Sequence, residues 1–131
     1  MSPNTPTNVA ATPADLNTLF VQLLRAGDIE GMANLYEPAA ILVDPPSDEA
    51  RGHSAIRRLL AAMVDGRAAI EISVSRCIEV GDTAVIHCDW RGTTAGPCGE
   101  RRGIAGKSVQ VARRQPEGNW LLIYDDPVAR G

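Results

Sequence analysis

The spacing of apolar residues changes near residue 69, and this change constrains the fold more than any other feature of the sequence. Before it, apolar residues recur every three or four positions, which is the period of an amphipathic helix. After it, apolar and polar residues alternate along several segments, as in strands with one buried face. Helices followed by a run of strands favour an α+β domain in which the helices pack against one face of a curved antiparallel sheet.

Two helices are predicted at the start of the chain. The first begins at Thr12-Pro13, because a capping hydroxyl followed by proline is typical of a helix start, and Gly27 ends it. Asp28 caps a second, shorter helix whose apolar side chains extend from Ile29 to Tyr36. Together they form a helical hairpin or a bend.

Residues 40–44 predict a short strand, which Pro45-Pro46 closes, and a polar loop continues to Gly52. A third helix then begins at His53 or Ser54. Its apolar stripe consists of Ile56, Leu59, Leu60, Met63 and Val64. The remaining strands are predicted at residues 69–80, 83–91, 102–114 and 120–125, and Gly- and Pro-containing turns join them.

The length of 131 residues suits one domain that can bury a core without disulfides or metal. Residues 1–12 are rich in Pro, Thr, Asn and Ala and have little to bury, so they predict a disordered tail before a domain over residues 13–131. No apolar run near the start is long enough for a secretory signal or a membrane span.

Charge and cysteine content exclude several classes of protein. A net charge of −3 gives no basic field for nucleic acid. The three cysteines include no Cys-x-x-Cys pair, which argues against a disulfide framework and structural zinc and fits a reducing cytoplasm. No cofactor motif is present, and neither histidine has a metal-ligand spacing with a cysteine, so neither a metal nor a cofactor is predicted.

Several local strings, taken in their order, resemble the nuclear transport factor 2-like superfamily, particularly SnoaL-like polyketide cyclases and steroid delta-isomerases. They lie at residues 24–36, 40–45, 52–57, 81–85 and 117–120, and the resemblance covers about residues 13–126. It implies a cone-shaped sheet with three helices on its concave side, a pocket for a small apolar molecule, and a homodimer through the sheet.

The resemblance also implies candidate catalytic residues. Asp44 matches the aspartate that acts as the base in the steroid isomerases, where a carboxylate takes a proton next to a ketone. An alternative is that Asp44 is only a turn residue before Pro45. The tyrosine that holds the enolate oxygen in those isomerases falls at Phe20, which donates no hydrogen bond, and their protonated aspartate falls near Lys107.

Lys107 is therefore a candidate oxyanion partner, provided that it points into the cone with Val109, which has the same strand parity. Its alternative is a solvated lysine at a strand end. The other candidate pocket residues are Phe20, Tyr36, His53, Met63 and Trp90. Packing alone explains the aromatic residues equally well, and capping or surface exposure explains His53. Asp125 and Asp126 are adjacent on one strand, so at most one of them enters the pocket.

The predicted function is an isomerase- or cyclase-like enzyme that acts on an apolar carbonyl compound with Asp44 as general acid/base. Two alternatives stay open, because the fold alone does not define a function. The first is a non-catalytic binding module for a hydrophobic ligand, favoured by Phe20 and Lys107 at the donor positions. The second is a dimerisation or scaffold domain with a vestigial pocket.

Overall fold

A computed structural model describes residues 9–44 and 48–129. Three helices and six strands follow in the order α1 (Asp15–Ala26), α2 (Ile29–Ala33), β1 (Tyr36–Asp44), β2 (Asp48–Arg51), α3 (His53–Asp65), β3 (Ala69–Val80), β4 (Thr83–Ala95), β5 (Arg101–Arg114) and β6 (Trp120–Asp126). The strands form one sheet in the order β2-β1-β6-β5-β4-β3. The predicted α+β cone with three helices is confirmed.

The sheet is mixed, which corrects the expectation of a purely antiparallel one. Strand β1 pairs in parallel with β6, while every other described pairing is antiparallel. The predicted second helix is also too long, because α2 stops at Ala33 and Tyr36 already begins β1. Leu35 and Tyr36 are each 1% exposed, so the sheet buries these side chains where a longer helix was expected.

Two further boundaries differ from the prediction. The polar segment after Pro46 includes strand β2, which pairs with β1. At the N-terminus, Ala10 is buried and its carbonyl accepts a hydrogen bond from the Trp120 amide at 3.0 Å. Packing therefore begins at least three residues before residue 13, the predicted start of the domain, whereas residues 1–8 of the predicted tail lie outside the described residues.

The hydrophobic core lies between the helices and the concave face of the sheet. Helix α1 contributes Leu16, Leu19 and Leu23, and helix α3 contributes Ile56 and Leu60. The sheet supplies alternate residues, among them Ala84, Ile86, Cys88, Ala112 and Leu122. Burial of this apolar surface, at roughly 25 cal/mol per Å², is the main force that holds the helices on the sheet.

A β-bulge in β6 decides which side chains of that strand face inward. Leu122 pairs with Ala112 and Tyr124 pairs with Val111, so Ile123 is an extra residue with no partner on β5. Because an extra residue reverses the alternation beyond it, Leu122 and Asp125 are both buried although they are three positions apart.

No helix in the described part of the chain combines the length and the apolar character needed to cross a lipid bilayer.

Candidate functional site

A cavity of about 450 Å³ lies between α1, α3 and the concave face of the sheet. Its volume is within the range of pockets that bind small molecules. Most of its wall is apolar, built from Leu16, Phe20, Leu42, Leu59, Met63, Ile70, Ile72, Trp90, Ile104 and Leu122 among others. The polar side chains of Asn17, Tyr36, Ser108, Gln110 and Asp125 also line it. A cavity of this composition suits a mostly apolar ligand that carries one hydrogen-bonding group.

Tyr36 and Asp125 form a buried polar pair in the wall of the cavity. The Tyr36 hydroxyl donates a hydrogen bond of 2.8 Å to Oδ2 of Asp125, and the two residues are 1% and 8% exposed. Strand β1 places Tyr36 beside β6, and the bulge at Ile123 turns Asp125 toward it. The parallel β1–β6 pairing and the bulge thus build this contact.

Burial raises the pKa of Asp125 from 3.8 to about 6, because a carboxylate loses hydration inside the protein. Hydrogen bonds from Tyr36 and Gln110 oppose this rise by stabilising the charged form, and nearby Asp126 adds to it. Burial likewise raises the pKa of Tyr36 well above 10, with a further contribution from the Asp125 charge, so the phenol keeps its proton. Asp125 can therefore exchange a proton near neutral pH, whereas Tyr36 acts as a donor.

Asn17 and Gln110 form a reciprocal amide pair next to Asp125. Asn17 Nδ2 donates to Gln110 Oε1 at 2.9 Å, and Gln110 Nε2 donates to Asn17 Oδ1 at 3.0 Å. Gln110 is also the direct cross-strand partner of Asp125. The pair ties helix α1 to the centre of the sheet and fixes the orientation of both amides.

Cys88 and Ser108 are buried cross-strand partners beside this pair. The Cys88 thiol lies 3.8 Å from Gln110 Oε1. Burial raises the pKa of Cys88 to about 11, against a smaller opposing effect of the Ser108 hydroxyl. Because the thiolate is the reactive form of cysteine, Cys88 has the environment of an inert core thiol.

Four of the sequence-predicted site residues lie on the cavity wall: Phe20, Tyr36, Met63 and Trp90. The structure also decides which face of β4 is inward, since Ile86, Cys88 and Trp90 share it. The Trp90 indole donates a 2.6 Å hydrogen bond to the Pro127 carbonyl and lies over Gly106, where a Cβ atom would be only 2.7 Å from the ring. Ligand binding by these four residues stays a prediction.

Lys107 and Val109 were expected to point into the cone, and this expectation was wrong. On β5 the inward positions are Ser108 and Gln110, so the odd-numbered neighbours point to the outer face. The Lys107 side chain is 76% exposed and makes a 3.0 Å ion pair with Asp89. The pleat of the strand separates Lys107 from the cavity, and the solvated alternative describes it correctly.

Another predicted site residue, His53, is not among the described residues that line the cavity. His53 is the first residue of α3, and its Nε2 lies 2.7 Å from the Tyr36 carbonyl oxygen, which makes it a link between α3 and β1. Asp44 ends β1 opposite Asp48, but its side chain lies outside the described residues. Its catalytic role stays a prediction.

The sequence reasoning did not find Asn17, Ser108 or Gln110, although each carried a signal. Asn17 interrupts the apolar run of α1, and the polar residues Ser108 and Gln110 alternate with valines on β5. A polar residue at a core position is expected to have a buried partner or a function. Among the described residues, no group of His, Cys, Asp and Glu side chains is arranged to hold a metal ion.

Comparison with known proteins identifies the class of this fold. The model of the SnoaL-like domain matches residues 18–120. The chain therefore belongs to the SnoaL-like domain family, within the nuclear transport factor 2-like superfamily, and the resemblance described from its sequence is confirmed. A sequence search of curated proteins gives no match.

Solved structures share the fold at low sequence identity. A ketosteroid isomerase-like protein from Erwinia carotovora atroseptica superposes with a TM-score of 0.76 at 14% identity, over 86% of this chain and 89% of the other. A provisionally assigned dehydratase of the nuclear transport factor 2-like family from Streptomyces avermitilis gives 0.72 at 23% identity, over 89% and 94%. A provisionally assigned calcium/calmodulin-dependent protein kinase II association domain from Xanthomonas campestris gives 0.73 at 20% identity, over 95% of each chain. These identities establish a common fold, and neighbours with one fold are described both as enzymes and as an association domain.

Proposed function

We propose that this protein is an isomerase- or cyclase-like enzyme that moves a proton on a neutral, apolar carbonyl compound, with Asp125 as the general acid/base. The observation that carries the proposal is a buried carboxyl group with a pKa of about 6 that lines an apolar cavity. A general base works best when its pKa lies near the operating pH. The neighbours described as isomerase-like and dehydratase agree with this class of chemistry.

The proposed step needs no cofactor. The Asp125 carboxylate takes a proton from the carbon next to the carbonyl group, and the electrons of that C–H bond form a C=C bond. The carbonyl π electrons move to the oxygen and give an enolate. In a carbonyl compound with a C=C bond in the β,γ position, this enolate is conjugated with that bond. The oxygen then returns an electron pair to re-form the C=O bond, the C=C bonds shift, and the far carbon takes the proton from Asp125, which becomes a carboxylate again. Tyr36 supports both states, because its hydroxyl fixes the carboxyl group in one orientation.

The cavity favours an uncharged ligand. Among its described lining residues are no Lys, Arg or His, and Asp125 is the one acidic side chain. An anionic ligand placed there would lose hydration without gaining a cationic partner, and would be repelled by ionised Asp125. The proposed substrate class is therefore a neutral ketone or aldehyde with an apolar carbon skeleton.

Asp44 is the rival candidate for the base. It lies on β1 two residues after Leu42, whose partner on β6 is Asp125. The backbone thus places both aspartates in the same part of the sheet. Asp125 is preferred because its burial, its hydrogen bond to Tyr36 and its raised pKa all point to proton transfer.

The experiment is deuterium exchange into the carbons beside the carbonyl of 2-tetralone, an apolar bicyclic ketone, followed by NMR in D₂O. Three matched variants, Asp125→Asn, Asp44→Asn and Asp126→Asn, are compared after subtraction of the buffer rate. Loss of a general base costs about 10²- to 10⁴-fold, so Asp125→Asn should lose the protein-dependent exchange. Asp126→Asn, on the outer face, should retain the wild-type rate.

The other outcomes identify the alternatives. A rate that falls in Asp44→Asn and not in Asp125→Asn would transfer the role of base to Asp44. If the wild type and the three variants all bind the ketone but none of them catalyses exchange, the non-catalytic binding module is favoured. No binding of this ketone or of larger apolar ketones would favour the scaffold function.

A homodimer through the sheet is a separate proposal, with a second copy of this chain as the partner. Ile78, Val85, Val111 and Tyr124 are successive cross-strand partners on the outer face of four neighbouring strands. Ile78 is 46% exposed and Val80 is 71% exposed at the edge of this stripe. Exposed contiguous apolar surface of this kind is typical of an interface. Sedimentation velocity at micromolar concentration tests it, and a monomer there would reject it.

A further inference from the structure

We propose that Asn17 is a second catalytic residue, whose side-chain amide donates a hydrogen bond to the carbonyl oxygen of the ligand. This inference rests on the proposed function, because proton removal next to a carbonyl needs a group that stabilises the negative charge developing on the oxygen. Phe20, which the sequence places at the expected donor position, has no hydrogen to donate. The described cavity wall has five other side chains with hydrogen-bond donors: Tyr36, Trp90, Thr94, Ser108 and Gln110.

Three of these donors are already committed to protein acceptors. The Tyr36 hydroxyl donates to Asp125 at 2.8 Å. The Trp90 indole donates to the Pro127 carbonyl at 2.6 Å, and the Thr94 hydroxyl donates to the Gly66 carbonyl at 3.0 Å. Each would have to break an existing bond in order to bind a ligand.

Gln110 lies between Asn17 and Asp125, and its amide interacts with both. A primary amide has two N–H donors. One of them donates to Asn17 Oδ1 at 3.0 Å. Gln110 is also the cross-strand partner of Asp125, and its amide lowers the pKa of that carboxyl group.

Asn17 has one N–H donor that no described protein group accepts. One of its two N–H groups donates to Gln110 Oε1 at 2.9 Å, and the second has no acceptor among the described residues. The reciprocal pair with Gln110 prevents the amide from turning, so the second N–H has a fixed direction. Asn17 is 4% exposed and lines the cavity, and its remaining N–H is therefore available to a ligand.

The position of Asn17 also suits the reaction. Gln110 contacts Asn17 on one side and Asp125 on the other, so the free donor and the proposed base flank one amide group. A carbonyl oxygen on Asn17 would hold the adjacent C–H group close to Asp125. Phe20 lies three residues further along α1, where its ring can cover the carbon skeleton of the ligand.

Ser108 is the rival donor. It is buried, lines the cavity and lies beside the Cys88 thiol, and a hydroxyl group can rotate toward a ligand. An amide that is clamped in place needs no reorganisation when the enolate forms, which is the property that makes such donors effective. Ser108→Ala is for this reason the matched control for substitutions at Asn17.

The experiment is infrared spectroscopy of 2-tetralone labelled with ¹³C and ¹⁸O at the carbonyl group and bound to the wild type, Asn17→Leu, Asn17→Asp and Ser108→Ala. A hydrogen bond to the oxygen lowers the carbonyl stretching frequency. We expect the bound frequency to rise toward its value in an apolar solvent in both Asn17 variants and to stay unchanged in Ser108→Ala. In the exchange assay, the Asn17 variants should lose about 10²- to 10³-fold in rate.

The two Asn17 variants together distinguish loss of the N–H donor from loss of the folded structure. Asn17→Asp keeps the acceptor for Gln110 and removes both N–H donors, so it tests the donor even if Asn17→Leu fails to fold. A frequency that rises in Ser108→Ala and not in the Asn17 variants would overturn the inference. Because the spectrum reports the hydrogen bond in a bound ketone, a frequency change without any exchange would support Asn17 as a ligand donor while rejecting the proposed catalysis.

Discussion

The two faces of strand β5 carry polar side chains with opposite consequences. On the outer face, Lys107 and Arg113 form ion pairs with Asp89 and Glu37, and both cations are more than half exposed. On the inner face, Gln110 is 5% exposed and connects Asn17 to Asp125. The outer face carries more charge, yet the proposed proton transfer depends on the inner face.

The difference is one of hydration. Water and salt screen exposed charges, so such ion pairs contribute little to stability. Inside the cavity the carboxyl group of Asp125 has lost its water, and its pKa is near 6. A polar group becomes reactive when it is desolvated and held in place by its neighbours. The hydrated charges on the outer face of the sheet do not meet this condition. Three changes test this contrast.

Gln110→Leu is expected to have the largest effect on stability. The substitution leaves the Asn17 amide without its partner and removes a donor from Asp125. Because a buried polar group left unsatisfied costs about 1–3 kcal/mol, the free energy of unfolding should fall by about 3 kcal/mol. Urea denaturation followed by circular dichroism measures the change.

The double variant Asn17→Leu/Gln110→Leu is the control. Replacing both partners by apolar groups can be nearly neutral, so the double variant should be more stable than Gln110→Leu alone. Equal or lower stability of the double variant would show that packing volume, and not the amide pair, sets the cost.

The pH dependence of Asp125 is expected to be the next largest effect. Its pKa is higher in the folded protein, about 6, than the ordinary 3.8, so the folded state binds the proton more tightly. Its contribution to stability is fully present below the ordinary pKa and is lost as the pH rises through about 6, with a total of about 3 kcal/mol, of which about 2 kcal/mol is lost between pH 4 and pH 7.5.

Asp125→Asn removes this titration and isolates it from the other carboxyl groups. Glu37, whose pKa is lowered mainly by its hydrogen bond from Arg113, contributes with the opposite sign in both proteins. The wild type should therefore lose stability relative to Asp125→Asn between pH 4 and pH 7.5 in thermal unfolding. Parallel curves for the two proteins would mean that Asp125 is hydrated.

Lys107→Met is expected to have the smallest effect. The ion pair with Asp89 is exposed on both sides, so its loss should change the free energy of unfolding by less than about 0.5 kcal/mol. Any change should disappear in 1 M NaCl, and the exchange rate with 2-tetralone should match that of the wild type. A large loss of exchange would show that Lys107 takes part in the reaction, and the proposed difference between the two faces would then be wrong.

The order of the elements could be predicted from the sequence because the signals are local. The leucine stripe of α1, the apolar stripe of α3 and the turn at Gly81-Asp82 each lie within a few residues, and the structure places a helix or a turn there. The end of α2 was missed because Leu35 and Tyr36 continue a helical spacing, although pairing with β6 buries them better.

The residues of the site were harder to predict from the sequence. That at most one of Asp125 and Asp126 enters the cavity follows from strand alternation, but the choice of Asp125 depends on the bulge at Ile123. Simple alternation from the buried Leu122 would have selected Asp126. The prediction that Lys107 enters the cavity was wrong for a related reason. The sequence of β5 alone does not indicate which of its two faces the helices cover.

By itself the sequence determined that helices precede a meander of strands, that one apolar face serves one core, and that the family is SnoaL-like. These properties depend on periodicity and short strings, which neighbouring residues establish among themselves. Only the tertiary structure decided which polar groups meet, since Asn17 and Gln110 are 93 residues apart and Tyr36 and Asp125 are 89 apart. Such contacts depend on strand register and one extra residue in β6, which the competition between alternative pairings sets for the molecule as a whole.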